Sequence, residues 1–350
     1  MESPSLLGRT ARVAKFLSAD PVLTARTGQT PHDIVFRMGK VSLRFFPPAN
    51  GEMKSPRPVV ISMPLINTWS IFDLLPGRSV VEKLTAAGIP VYIVDWGRPG
   101  AEDCERSMSY YVDEVLTRCF DRARRHARKT FAPEADTIGL DAIGYCVGGT
   151  FLSIHLARNP GQVERAAFVA TPIDFHASER LATWANPDTF PLDTLIDSVG
   201  NYPADLMRTA FSWLKPMGQT AKWWGLWDRI DTEGFPELWA ALEKWNGDNV
   251  EFPGECYREY VRRCYFDNAL MTGGWTLGST PVDLSKGTAP ILVLGASRDH
   301  IAPPAACGGL EKAWGGPAEV RTIRGGHVGI CVGKTLPAQL SEWFLGSHEA

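Results

Sequence analysis

The chain has 350 residues, 44% apolar and 21% charged. A chain of that length can bury about 75% of its unfolded surface, so its core needs neither disulfide nor metal. Thirty-six basic residues against 39 acidic ones give a formal charge of −3, which argues against an extended nucleic-acid footprint and leaves room only for a local basic patch.

Seven cysteines (104, 119, 146, 256, 264, 307 and 331) contain no CxxC pair, so no zinc knuckle or thioredoxin-type motif is present. The opening segment MESPSLLGRTARVAKFL lacks the apolar core and cleavage site of a signal peptide. No apolar run approaches the ~18 residues of a membrane span. Free thiols in a reducing cytoplasm are the expected setting.

In chain order, Leu6 to Leu17 reads as a short amphipathic helix. Ile34–Arg37 and Val41–Phe45 flank Met38-Gly39-Lys40 as the strands of a hairpin flank a turn. Residues 1–56 are read as an N-terminal extension. From residue 57, apolar runs alternate with helix-length segments. Strands are expected at Pro58–Met63, Pro90–Trp96, Thr137–Tyr145, Ala166–Ala170, Ala289–Gly295 and Ala318–Ile323. Helices are expected near 78–87, over 108–129, from Val147, between the last two strands and near 335–345. This alternation implies an α/β fold with a mostly parallel sheet covered on both faces. Residues 57–174 and 289–350 form its core. Residues 175–288 carry eight of the twelve tryptophans and read as a helical cap inserted over the sheet's C-terminal edge, where such sheets bind ligands.

Gly144-Tyr145-Cys146-Val147-Gly148-Gly149 follows an apolar strand and opens a helix. It is a nucleophile elbow with cysteine where hydrolases usually place serine. The helix N-terminus favours a thiolate at Cys146, and the Val147 N–H points toward a developing oxyanion. The bland alternative is a glycine-rich turn holding a buried cysteine, or a phosphate-binding turn. Two later segments favour the nucleophile. Asp299 follows the penultimate strand and His327 the last one, which is the order of the α/β-hydrolase triad. Cys146, Asp299 and His327 are therefore the candidate catalytic residues.

From about residue 57 to the C-terminus the sequence resembles the polyhydroxyalkanoate synthases. The resemblance rests on PLINTW (64–69), VYIVDWG (91–97), GYCVGGT (144–150), ATPIDF (170–175), SRDHIAPP (297–304) and GGHVGICVG (325–333). It is strongest to the short catalytic subunits (class III and IV) that work with a second protein. It implies an α/β-hydrolase fold with Cys146 as nucleophile and Asp299 and His327 as acid and base. It also implies a second oxyanion donor from the backbone of Ile66 or Asn67. The implied substrates are (R)-3-hydroxyacyl-CoA and a growing polyester chain, and the implied place is the cytoplasm at polyester granules. CoA would be part of the substrate and a product, with no separate cofactor and no metal expected. A second synthase subunit and a homodimer are both left open as partners.

Passing the acyl group from CoA sulfur to Cys146 sulfur exchanges one thioester for another, so the group stays activated. His327 would deprotonate the thiol. Asp299 either orients His327 or helps deprotonate the attacking 3-hydroxyl. Water would end chains by hydrolysis, so the site must be dry. The tryptophan-rich cap either serves that need or simply fills its own core.

Three further residues are weaker substrate-binding candidates. Asp95 and Trp96 end a core strand near the same edge, with a structural turn favoured. His300 adjoins Asp299, with a turn cap favoured over the CoA path. The basic run Arg122–Lys129 reads as a solvated helix face. Competing functions are an intracellular polyester depolymerase or thioesterase with the same triad, and a non-catalytic granule-binding protein.

Overall fold

Eight strands of four to six residues build one sheet in the computed structural model, which describes residues 6–214 and 217–346. They are β1 (Asp33–Met38), β2 (Val41–Phe46), β3 (Val59–Ser62), β4 (Val91–Asp95), β5 (Asp141–Tyr145), β6 (Arg165–Val169), β7 (Ile291–Ala296) and β8 (Ala318–Ile323). Their spatial order is β1-β2-β4-β3-β5-β6-β7-β8. From β4 to β8 every pairing is parallel. The central strands β3, β5 and β7 are buried along their whole length. That burial explains why they read as continuous apolar runs rather than alternating ones.

The N-terminal hairpin is part of this sheet, not a preface to it. β2 pairs antiparallel with β4 from Ser42–Asp95 to Phe46–Val91. Leu43 and Phe46 are fully buried, so the hairpin contributes apolar area to the main core. The boundary expected at residue 56 therefore cuts through a continuous structure.

Helices cover both faces. α1 (Leu6–Ser18) and α2 (Val80–Ala86) precede a π-helical stretch at Tyr110–Val115, which runs directly into α3 (Leu116–Phe131). The single helix expected over 108–129 thus begins as a wider turn. α4 (Val147–Arg158) follows the elbow and is buried through almost all of its length. Between β6 and β7 lie the inserted helices α5 (Glu179–Trp184), α6 (Leu192–Val199), α7 (Ala204–Leu214), α8 (Gly218–Asp228), α9 (Phe235–Gly247) and α10 (Gly254–Tyr260). A second π-helical stretch, Val261–Phe266, continues α10. α11 (Pro304–Ala313) and α12 (Thr335–Leu345) complete the core.

α1 packs on the inserted helices. Val13, Phe16 and Leu17 join a small apolar cluster around Leu226, Trp239 and Ala240. Arg12 pairs with Asp231, and the Trp227 Nε1–H donates to Thr10 Oγ1 at 3.2 Å. The basic run in α3 is spent locally. Arg124 donates to the Gln162 carbonyl, Arg128 to the Ala135 carbonyl, and Arg122 lies over the Phe36 ring.

Candidate active site

β5 ends at Tyr145 and α4 begins at Val147, so Cys146 alone makes the turn between strand and helix. It does so with φ +52° and ψ −131°, a region that costs a side-chain-bearing residue of order 1–3 kcal/mol. The glycines make the turn sterically feasible. A Cβ at Gly144 would run into Gly149, one at Gly148 into the Met63 carbonyl, and one at Gly149 into the Thr171 side chain. The Cys146 N–H donates to the Val169 carbonyl at 3.0 Å, tying the elbow to the neighbouring strand. The Cys146 carbonyl accepts from Gly149 and Thr150 at 2.9 and 3.2 Å, starting the helix. Cys146 therefore stands at the N-terminus of a buried helix, where the dipole favours an anion.

The other two residues of the candidate triad sit on the turns after β7 and β8. These turns are laced together. The Ser297 N–H donates to the Ile323 carbonyl at 2.9 Å, and the Arg298 N–H to the Gly325 carbonyl at 2.7 Å. Asp299 is buried, and its Oδ1 accepts from the Ile301 and Ala302 N–H groups at 2.8 and 2.9 Å. Its Oδ2 lies 2.7 Å from His327 Nδ1. The carboxylate is thus held by backbone while its second oxygen orients the imidazole. On its other side His327 interacts with the Cys146 thiol. Burial alone would lower the imidazole's affinity for a proton. The charges of Cys146 and Asp299, and hydrogen bonds to both, outweigh it and push His327 up to about 10.

A cavity of about 140 Å³ opens onto Cys146. Its walls are apolar and aromatic. Ile66 and Val147 form the floor beside the thiol, with Ile301 from the Asp299 turn. Phe211, Tyr260 and Tyr265 from the inserted segment form the roof. Tyr202 and Tyr257, also in the wall, stack with centroids 4.2 Å apart and planes 11° apart.

The tryptophans do not supply this lining. Among the eight of the insertion, Trp184 alone faces the cavity. Trp239, Trp245 and Trp275 are buried elsewhere, and Trp213, Trp223 and Trp224 are exposed. The idea that tryptophans dry the site is therefore replaced by a wall of tyrosine and phenylalanine. Tyr257, Tyr260 and Tyr265 lie three and five residues apart along α10 and the π-helical stretch that extends it. That spacing brings them toward one face and was a readable signal in CYREYVRRCYF.

Of the two candidates for the second oxyanion donor, Ile66 lines the cavity and Asn67 does not. The weaker candidates are also absent from the lining. Asp95 binds Arg44 through Nε and Nη2 at 2.9 and 2.8 Å and accepts the Gly97 N–H at 3.1 Å. The Trp96 indole donates to the Met63 carbonyl at 2.6 Å, bracing the loop that carries Ile66. His300 is exposed. The contacts of Asp95 and Trp96 are those of a structural turn. His155 is fully buried in α4, with Nδ1 2.8 Å from the Val112 carbonyl and its ring stacked on Phe120.

The family model described as alpha/beta hydrolase fold matches residues 136–333. The chain is 30% identical over 325 residues to the poly(3-hydroxyalkanoate) polymerase subunit PhaC of Allochromatium vinosum, covering 91% of this chain and 89% of that protein. It is 31% identical to the PhaC subunit of Haloarcula marismortui, covering 92% and 70%, and 29% identical to that of Synechocystis sp., covering 91% and 85%. Among solved structures it is similar in fold to a putative non-heme bromoperoxidase, BpoC, of Mycobacterium tuberculosis. That match has a TM-score of 0.54 and 15% identity and covers 91% of this chain and 99% of the other.

Proposed function

The chain belongs to the poly(3-hydroxyalkanoate) polymerase family, and on that premise we propose that it polymerises (R)-3-hydroxyacyl-CoA through a thioester on Cys146. It is an acyltransferase on an α/β-hydrolase fold. The observation that carries the role of Cys146 is its elbow conformation, facing a His327 already bound to Asp299 at 2.7 Å.

The chemistry follows from that arrangement. The Cys146 thiolate, paired with the His327 imidazolium, attacks the acyl carbonyl of the CoA thioester. The oxygen gains charge and is met by the N–H groups of Val147 and Ile66, or of Asn67 in place of Ile66. The C–S bond to CoA breaks. His327 gives its proton to the leaving sulfur, and CoA departs as the free thiol. The acyl group now sits on Cys146 at nearly unchanged energy.

Neutral His327 then accepts the proton of a 3-hydroxyl from another hydroxyacyl unit. The alkoxide attacks the acyl-Cys146 carbonyl, an ester forms, and Cys146 leaves as the thiolate. Asp299 orients the imidazole in both halves. Its Oδ1 is already committed to two backbone N–H groups, which favours this role over direct activation of the hydroxyl. The inserted helices of residues 175–288 act as the cap, and their aromatic wall limits water at the thioester.

A second synthase subunit is the partner proposed, and the product's insolubility would hold the enzyme at the polymer surface in the cytoplasm. The test is incubation with 3-hydroxybutyryl-CoA, with and without a candidate partner subunit. CoA release with insoluble polymer is expected. CoA release with only free 3-hydroxybutyrate would instead identify a thioesterase, and no CoA release under either condition would point to a non-catalytic protein.

A further inference from the structure

Tyr145 precedes the nucleophile and is almost completely buried. Its side chain touches the base rather than the substrate cavity. The phenol ring stacks on the His327 imidazole, with centroids 5.4 Å apart and planes 30° apart. Its hydroxyl donates to the main-chain carbonyl of His327 at 3.3 Å. The buried Cys331 thiol lies near the same phenol. Behind it the ring packs on Phe72, at 5.2 Å between centroids.

We propose that Tyr145 is a positioning residue for His327, locking the loop that carries the base to the strand that carries the nucleophile. This rests on the triad reading given above. His327 and Cys331 stand at the two ends of one turn, within which the Cys331 N–H donates to the Val328 carbonyl at 3.1 Å. The hydroxyl therefore grips that turn at its His327 end. A phenylalanine would fill the same space and keep the stack. The buried hydroxyl is worth its desolvation only because it is paired. Its pairing fixes where the backbone of His327 lies, and so where the ring meets Asp299 on one side and Cys146 on the other.

The ring has a second effect. An imidazolium on an aromatic face is stabilised by the ring's quadrupole. Tyr145 therefore favours the charged form of His327 that stands beside the thiolate.

The test compares Tyr145→Phe and Tyr145→Leu with the unaltered enzyme. One readout is kcat and KM for 3-hydroxybutyryl-CoA. The other is the pH profile of Cys146 alkylation by iodoacetamide, followed on the Cys146 peptide by mass spectrometry. For Tyr145→Phe, kcat is expected to fall about five- to tenfold with KM changed less than about twofold. For Tyr145→Leu, the alkaline step of the profile, where the imidazolium beside the thiolate loses its proton, is expected to move down by about 0.5 to 1 pH unit. A Tyr145→Phe enzyme with kcat within about twofold of the parent overturns the proposal, and this variant decides alone if Tyr145→Leu does not fold. A His327→Ala control separates the two readings. If it leaves the alkylation profile unmoved, the triad itself is wrong. If it moves the profile while both tyrosine variants keep parent kcat and profile, only the role of Tyr145 fails.

Discussion

His327 Nδ1 meets Asp299 Oδ2 at 2.7 Å while the other oxygen of Asp299 is held by the backbone N–H groups of Ile301 and Ala302. The carboxylate thus has one oxygen for its own fixation and one for the imidazole. Asp299→Asn keeps the shape but presents an amide that can offer the wrong group to Nδ1. Activity is expected to fall by about a thousandfold or more, with the fold retained. A loss below about tenfold, measured as CoA release, would remove Asp299 from the triad.

Cys146→Ala should abolish CoA release while leaving the circular dichroism spectrum unchanged. Cys146→Ser should lose at least about a hundredfold, because the alcohol is a weaker nucleophile for the same base. It would also store the acyl group as a less activated oxoester. Near-parent turnover of the serine variant would count against the thioester argument.

The elbow depends on the absence of side chains at its glycines. Gly149→Ala would drive a methyl group into Thr171, inside a helix that is buried on nearly every side. A loss of about 1–3 kcal/mol in unfolding free energy is expected from such overpacking. Urea denaturation measures it, and parent stability would show that the close approach is relaxed at no cost.

Burial holds His155 neutral in α4, lowering its pKa to about 4 from the ordinary 6.5. The unfolded chain therefore takes up a proton at a higher pH than the folded chain. Stability from this group is full above about pH 6.5 and is lost as the pH falls toward 4. The loss is on the order of 3 kcal/mol across that window. Urea midpoints between pH 7 and 4 should fall accordingly, with a shallower fall in His155→Gln. Equal slopes in the two proteins would contradict the assignment.

The cavity beside Cys146 is about 140 Å³ and aromatic, with Phe211 in its roof. Phe211→Ala enlarges it, making room for a longer side chain on the proposed acyl-Cys146. The ratio of kcat/KM for 3-hydroxyhexanoyl-CoA to that for 3-hydroxybutyryl-CoA is expected to rise about tenfold. An unchanged ratio would show that the acyl side chain lies elsewhere.

Much of this was legible in the sequence because the relevant signals are local. The central strands are mostly apolar runs, and the elbow is a contiguous glycine-flanked motif whose steric need is visible in GYCVGG. Asp299 and His327 were found by their order and by their places at strand ends. What was not legible depends on contacts between distant segments. β2 joins the sheet only through its pairing with β4, 45 to 53 residues further on. The tryptophans of the insertion advertised apolar surface but not its direction, and several point outward. The cavity tyrosines and Tyr145 gain their meaning from what they face, and a sequence does not state that.

The central claim is that the growing acyl group is carried on Cys146. Its most direct test is brief reaction with 3-hydroxybutyryl-CoA, acid quench, digestion and mass spectrometry of the peptide containing Cys146. A hydroxybutyryl adduct on that cysteine, released by neutral hydroxylamine as a thioester should be, is the expected result. Polymer formation with Cys146 unmodified and the adduct on another residue would contradict it.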